Sequence, residues 1–175
     1  MKYSIFFYAV DGSALAKTLA SDASIVERTL TKYRTAGDVP NEDATAVKKL
    51  LVEGLNGNWP DSKYLDAFIA FHWLMETLAE PILVEELIEF RHWQYWRSTG
   101  LSQYFELTKP PFPVPTSPDS LPSVYYLPNS AMTSMLTDSN EEPRSQDAQV
   151  LREELQAIVE SVRSDQLDLI AVALN

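Results

Sequence analysis

Residues 3–10 read YSIFFYAV, and both alternating faces of this run are apolar. In an extended chain Tyr3, Ile5, Phe7 and Ala9 point one way, and Phe6, Tyr8 and Val10 the other. A strand wetted on one face would alternate apolar with polar residues, so this one reads as a central strand covered on both sides. The chain closes on a second run of the same kind, LDLIAVAL at 167–174. Strands of this character at both ends suit the middle of one sheet, which would tie the termini together.

Between these runs the pattern is mainly helical. Asp11, Gly12 and Ser13 form a turn, with Asp11 or Ser13 able to cap a helix through Leu15 and Leu19. A second helix starts at Asp22 or Ser24 and carries Ile25, Val26, Leu30 and Tyr33. A third carries Val47, Leu50 and Leu51 and ends near Gly54 and Gly57. From Asp61 to Leu78 the period is strongest, with Tyr64, Phe68, Phe71, Met75 and Leu78 on one face and Leu65 and Ile69 widening it. Pro81 ends or kinks that helix. Residues 82–97 read as helix or part strand, stopped by Gly100.

The proline-rich loop 109–123 forces extended backbone, and its Phe112, Val114 and Leu121 imply that it packs on the domain. VYYL is a short strand and NSAMTSML a short helix capped by Asn129 or Ser130. Residues 137–147 form a polar linker, after which Leu151, Leu155, Ile158, Val159 and Val162 mark an amphipathic helix. The expectation is a single α+β domain over 1–175, a small mixed sheet including the N- and C-terminal strands packed against several helices.

Composition narrows the function. With 45% hydrophobic and 11% aromatic residues the chain is that of a folded protein. Cysteine is absent, which excludes disulfides, thiolate catalysis and cysteine-ligated metal. No segment reaches the roughly 18 apolar residues of a membrane span, and the opening run is too short for a signal peptide, so the expected location is cytoplasmic. Fourteen basic against 25 acidic residues give a formal charge of −11. That field repels phosphate backbones and anionic membranes and favours a basic protein partner, although acidity also serves solubility alone.

Two histidines carry the candidate chemistry. His72 precedes Glu76 by four residues on the long helix, where a carboxylate can orient an imidazole. The bland alternative is a half-buried histidine beside a surface glutamate. His92 lies among Arg91, Trp93, Tyr95, Trp96 and Arg97, an aromatic and arginine cluster suited to planar ligands or a protein contact, and equally to core packing. The expected binding residues are Trp93, Tyr95, Trp96 and Arg97; His72, Glu76 and His92 are the catalytic candidates. Neither a glycine-rich phosphate loop nor a GxSxG elbow is present, and no metal or cofactor is expected.

Three segments carry a resemblance: YSIFFYAVDGSAL, PPFPVPTSPDSLPSVYYLPNSAM and LREELQAIVESVRSDQLDLIAVAL. Together they resemble the small uncharacterised bacterial domains that include the YfbM-like group. The resemblance implies one α+β domain whose first strand enters a turn and helix and whose last strand follows an amphipathic helix. It implies no catalytic residues. The leading expectation is a non-enzymatic protein-binding module, an immunity or inhibitor type against a basic partner. The alternative is a small-molecule-binding domain or weak enzyme with a His/Glu/Trp pocket.

Overall fold

The computed structural model describes residues 4–22, 24–36, 44–60, 64–78, 80–81, 96–106, 108–116, 123–137, 143 and 145–174. Strand β1 (Ser4–Val10) leads into helices α1 (Gly12–Ser21), α2 (Ile25–Ala36), α3 (Ala44–Leu55) and α4 (Tyr64–Leu78). A two-residue strand β2 (Glu80–Pro81) follows, then a 3-10 turn (Trp96–Thr99) and the short helix α5 (Ser102–Glu106). The chain ends with β3 (Ser123–Leu127), α6 (Asn129–Thr137), the long α7 (Gln146–Ser164) and β4 (Asp168–Leu174).

The sheet order is β2-β1-β4-β3, so the first and last strands are its two inner members, as their doubly apolar runs require. The expectation of a mixed sheet needs correcting: the pairings of β1 with β2, β1 with β4 and β3 with β4 are all antiparallel. A continuous apolar run reports that both faces are covered, and it says nothing about strand direction. On one face Phe7 lies opposite Ala171 and Ala9 opposite Leu169, large against small, while on the other Tyr8 faces Ile170 and Phe6 faces Val172.

Helices cover both faces. On one, Phe7, Leu169, Ala171 and Ala173 pack against Met132 and Met135 of α6 and Leu151, Leu155, Val159 and Val162 of α7. On the other, Tyr8, Val10, Ile170 and Val172 meet Leu15, Ile25, Leu30, Leu51, Phe71 and Met75 from α1 to α4. Pro81 follows the end of α4 at Leu78, one of the two outcomes expected of it. It sits opposite Tyr8 on the edge strand, where a missing N–H is tolerated. The proline-rich segment does pack on the domain: Phe112 is buried between Phe71 and Tyr126, with ring centroids at 6.5 and 6.1 Å. The polar linker is shorter than its expected 137–147 bounds, because Thr137 closes α6 and Ser145 caps α7 by accepting from the Ala148 N–H at 3.1 Å.

One carboxylate fastens the end of the sheet. Asp168 accepts from the Gly12 N–H at 3.1 Å, the Tyr126 hydroxyl at 2.7 Å and the Asn129 N–H at 2.8 Å. The two amides open α1 and α6, so an anion rests against two helix N-termini at once. Asn129 also donates its side-chain amide to the carbonyls of Leu167 and Arg163, closing the turn between α7 and β4. Gly12 has no room for a side chain. A Cβ there would press into the Asp168 carboxylate and lie 2.7 Å from the Tyr126 hydroxyl. Gly12→Ala is therefore expected to lower the unfolding free energy by about 1–3 kcal/mol through overpacking, read from the midpoint of urea denaturation.

Candidate functional site

Helix α4 is apolar over most of its circumference, and Phe68, Ala70, Phe71, Leu74 and Met75 are all buried. Its polar side chains must therefore find partners within the fold. His72 is 8% exposed, and its Nδ1 lies 2.7 Å from the Tyr8 hydroxyl of β1. The Phe6 ring lies over the imidazole with centroids 4.0 Å apart. The other nitrogen, Nε2, faces the Glu76 carboxylate one turn on, at 3.7 Å. This is the i,i+4 pair expected from sequence.

The network continues into α2. The Tyr33 hydroxyl donates to the second oxygen of Glu76. Lys32 donates to the Glu76 backbone carbonyl at 2.6 Å and places its ammonium 3.9 Å from the carboxylate. Trp73 stacks on the Tyr33 ring at 4.0 Å. A chain of polar contacts thus runs Tyr8–His72–Glu76–Tyr33, from the sheet through α4 to α2. It is wettest at Glu76, whose side chain is 33% exposed, while Tyr8 and Tyr33 at its ends are 1% and 4% exposed.

Burial decides the protonation states. It pushes the Tyr8 phenol well above its ordinary range, and the nearby Glu76 charge adds to the effect. Burial also holds the His72 imidazolium below its ordinary range; Glu76 opposes this and Lys32 reinforces it. A phenol that keeps its proton donates to Nδ1, which leaves the imidazole N–H on Nε2, facing Glu76. Nδ1 is then taken by Tyr8, while the Nε2–H faces the Glu76 carboxylate at 3.7 Å, longer than a hydrogen bond.

The remaining expected residues divide. His92, Trp93 and Tyr95 lie outside the described residues. Trp96 and Arg97 open the 3-10 turn, their side chains outside the description. That turn packs on α7, where Arg152 donates to the Thr99 carbonyl at 3.4 Å. The outward face of α7 exposes Asp147, Glu153 and Glu160. Arg152 and Arg163 of the same helix are half-buried at its sides. The turn therefore packs beside Arg152, on a helix whose exposed residues include Asp147, Glu153 and Glu160.

An open cleft of about 290 Å³ lies elsewhere, lined by residues of β1 and α1 with Leu78 and Leu167. It includes neither His72 nor Glu76, so it is not the expected His/Glu/Trp pocket. Among the described residues no group of three or more histidine or carboxylate side chains is placed to hold a metal ion. Among them, too, no helix is long and apolar enough to cross a membrane.

Sequence reasoning did not reach Tyr8, Lys32, Tyr33 or the Asp168 cluster. Tyr8 read as one more apolar residue of β1, yet a buried phenol needs a partner for its O–H, and that was the available signal. Nothing in local spacing points from Tyr8 to His72, 64 positions away.

The chain belongs to the family DUF7691, a domain of unknown function whose model matches residues 1–173. No curated protein and no solved structure matches it. The expected membership of an uncharacterised-domain family holds at that level.

Tyr8→Phe leaves the His72 Nδ1 buried without a donor and is expected to cost about 1–3 kcal/mol at neutral pH, measured by urea denaturation. The fold also holds the Tyr8 proton above the ordinary phenol range. This stability is fully present below pH 10, the phenol's ordinary value, and is lost as pH rises towards the folded-state value. Denaturation at pH 9 and 11 should show a loss that is smaller in Tyr8→Phe. Tyr126, raised by burial and by its bond to Asp168, contributes to the loss that remains.

Proposed function

We propose that this chain is a non-catalytic protein-binding domain that receives a basic partner on the outward face of α7 and the neighbouring 3-10 turn. The observation that carries the reading is the packing of the segment bearing Trp96 and Arg97 against a helix whose outer face exposes Asp147, Glu153 and Glu160. Aromatic and arginine side chains anchor protein contacts, and surrounding acidic groups steer a cationic partner into place. Trp93, Tyr95, Trp96 and Arg97 are the anchors in this reading. A formal charge of −11 acts in the same direction at long range.

An immunity or inhibitor domain is the most concrete form of the proposal. The expectation of a YfbM-like, bacterial, cytoplasmic chain goes with it. The alternative of a small-molecule site or weak enzyme at His72 and Glu76 has less support. A general acid or base must reach the reacting proton, whereas His72 is buried, with Nδ1 taken by Tyr8 and Nε2 turned towards Glu76.

The test uses the tagged full chain as bait in extract of its own host, with the Asp147→Lys/Glu153→Lys/Glu160→Lys variant beside it. A basic protein should be retained at low salt, elute as salt rises, and fail to bind the variant. Association of the recovered partner should slow about tenfold or more in the variant. Equal retention by both baits, or recovery of no basic protein, would sink the reading.

A further inference from the structure

We propose that the Tyr8–His72–Glu76–Tyr33 chain is an acid-sensitive latch that holds α2 against α4 and releases it when His72 takes up a proton. The neutral state is closed. Tyr8 donates to Nδ1, the Nε2–H faces Glu76, and Glu76 receives the Tyr33 hydroxyl and the Lys32 ammonium of α2. Tyr33 with Trp73 stacked on it, and Lys32 on the Glu76 carbonyl, are thus the polar ties from α2 to this part of α4.

A proton from water can enter only at Nδ1, the one ring nitrogen acting as acceptor. Both nitrogens of the imidazolium are donors, so the new N–H points at the Tyr8 oxygen. The phenolic hydrogen must then turn away into apolar surroundings, because Tyr8 is 1% exposed. At the far side the positive ring draws the Glu76 carboxylate towards Nε2 from 3.7 Å, and so away from Tyr33 and Lys32. The groups that face His72 are Tyr8 from β1, Glu76 on its own helix and Lys32 from α2, with Tyr33 one bond further on. Among the described residues α3 and β4, which also pack on α4, bring no charged group that acts on it. Lys32 repels the imidazolium and Glu76 attracts it through Oε1, while Oε2 carries the ties to α2, so a carboxylate drawn towards the charged ring stretches those ties.

The sign follows from burial. A histidine held below its ordinary value of 6.5 contributes stability that is intact above pH 6.5 and is lost as pH falls towards the folded-state value. Each unit of that depression makes the closed state about tenfold less favoured once the ring is charged.

Amide hydrogen exchange on the full chain at pH 7.5 and 5.0, corrected for the intrinsic pH dependence, tests the latch. Segments 25–36 of α2 should open severalfold more at the lower pH than segments 146–164 of α7. The His72 ring resonance, assigned by its absence in His72→Gln, should titrate below pH 6.5. His72→Gln, which can accept from Tyr8 but does not titrate, should abolish the step in α2. Glu76→Gln removes the attraction for the charged ring and should lower the midpoint further. Equal changes in α2 and α7, a midpoint at or above 6.5, or a step that survives in His72→Gln would overturn the proposal. If His72→Gln does not fold, the regional comparison and the midpoint of the unaltered chain still decide.

Discussion

Everything in this fold depends on the antiparallel pairing of β1 with β4, which joins the first strand to the last from Ser4 opposite Leu174 to Val10 opposite Asp168. Two strands apolar on both faces cannot stand at an edge or face water, so all the intervening helices must be divided between the two sides of the pair. Closing the longest loop in the chain is the entropic cost of this arrangement, and the two apolar layers offset it. Packing on one face is with α6 and α7, and on the other with α1 to α4.

Burying a sheet on both faces leaves little space for polar atoms, and the two polar anchors described above lie on the same side of it. Tyr8 reaches His72 on that side, and Asp168 meets Tyr126 and Gly12 there. Both anchors also specify register. A slip of one residue in β1 would turn Tyr8 to the opposite layer, away from His72, and would leave its hydroxyl buried without a partner. Apolar side chains alone would tolerate such a slip far better, since Phe7 and Tyr8 are of similar bulk. The opposite face meets α6 and α7 through a largely apolar layer, and Asp147, Glu153 and Glu160 of α7 are left exposed.

Reading the chain in one dimension worked where a property is continuous or repeats with a period. The continuous apolar runs that became Ser4–Val10 and Asp168–Leu174 and the helical period of Leu151, Leu155, Val159 and Val162 survive into the fold, because each expresses which faces are covered. His72 and Glu76 were legible as a pair because a helix brings residues four apart together. Pro81 was legible as a helix stop, and α4 ends at Leu78 ahead of it, but its seat on an edge strand opposite Tyr8 was not legible. The antiparallel sense of the sheet was illegible for a related reason: direction is set by how the connections run, and the strand residues carry no mark of it.

By itself, then, the sequence determined a cysteine-free, acidic α+β domain with central strands at its two ends, a long buried helix bearing a His–Glu pair, and an amphipathic helix before the last strand. These are properties of composition and local period, which any fold of this chain must satisfy. Only the tertiary structure decided that His72 meets Tyr8, that Glu76 binds Tyr33 and Lys32, and that Asp168 caps two helices at once. Each of these contacts joins residues dozens of positions apart. Their pairing energy arises only once the fold has brought both partners together, so no local pattern records it in advance.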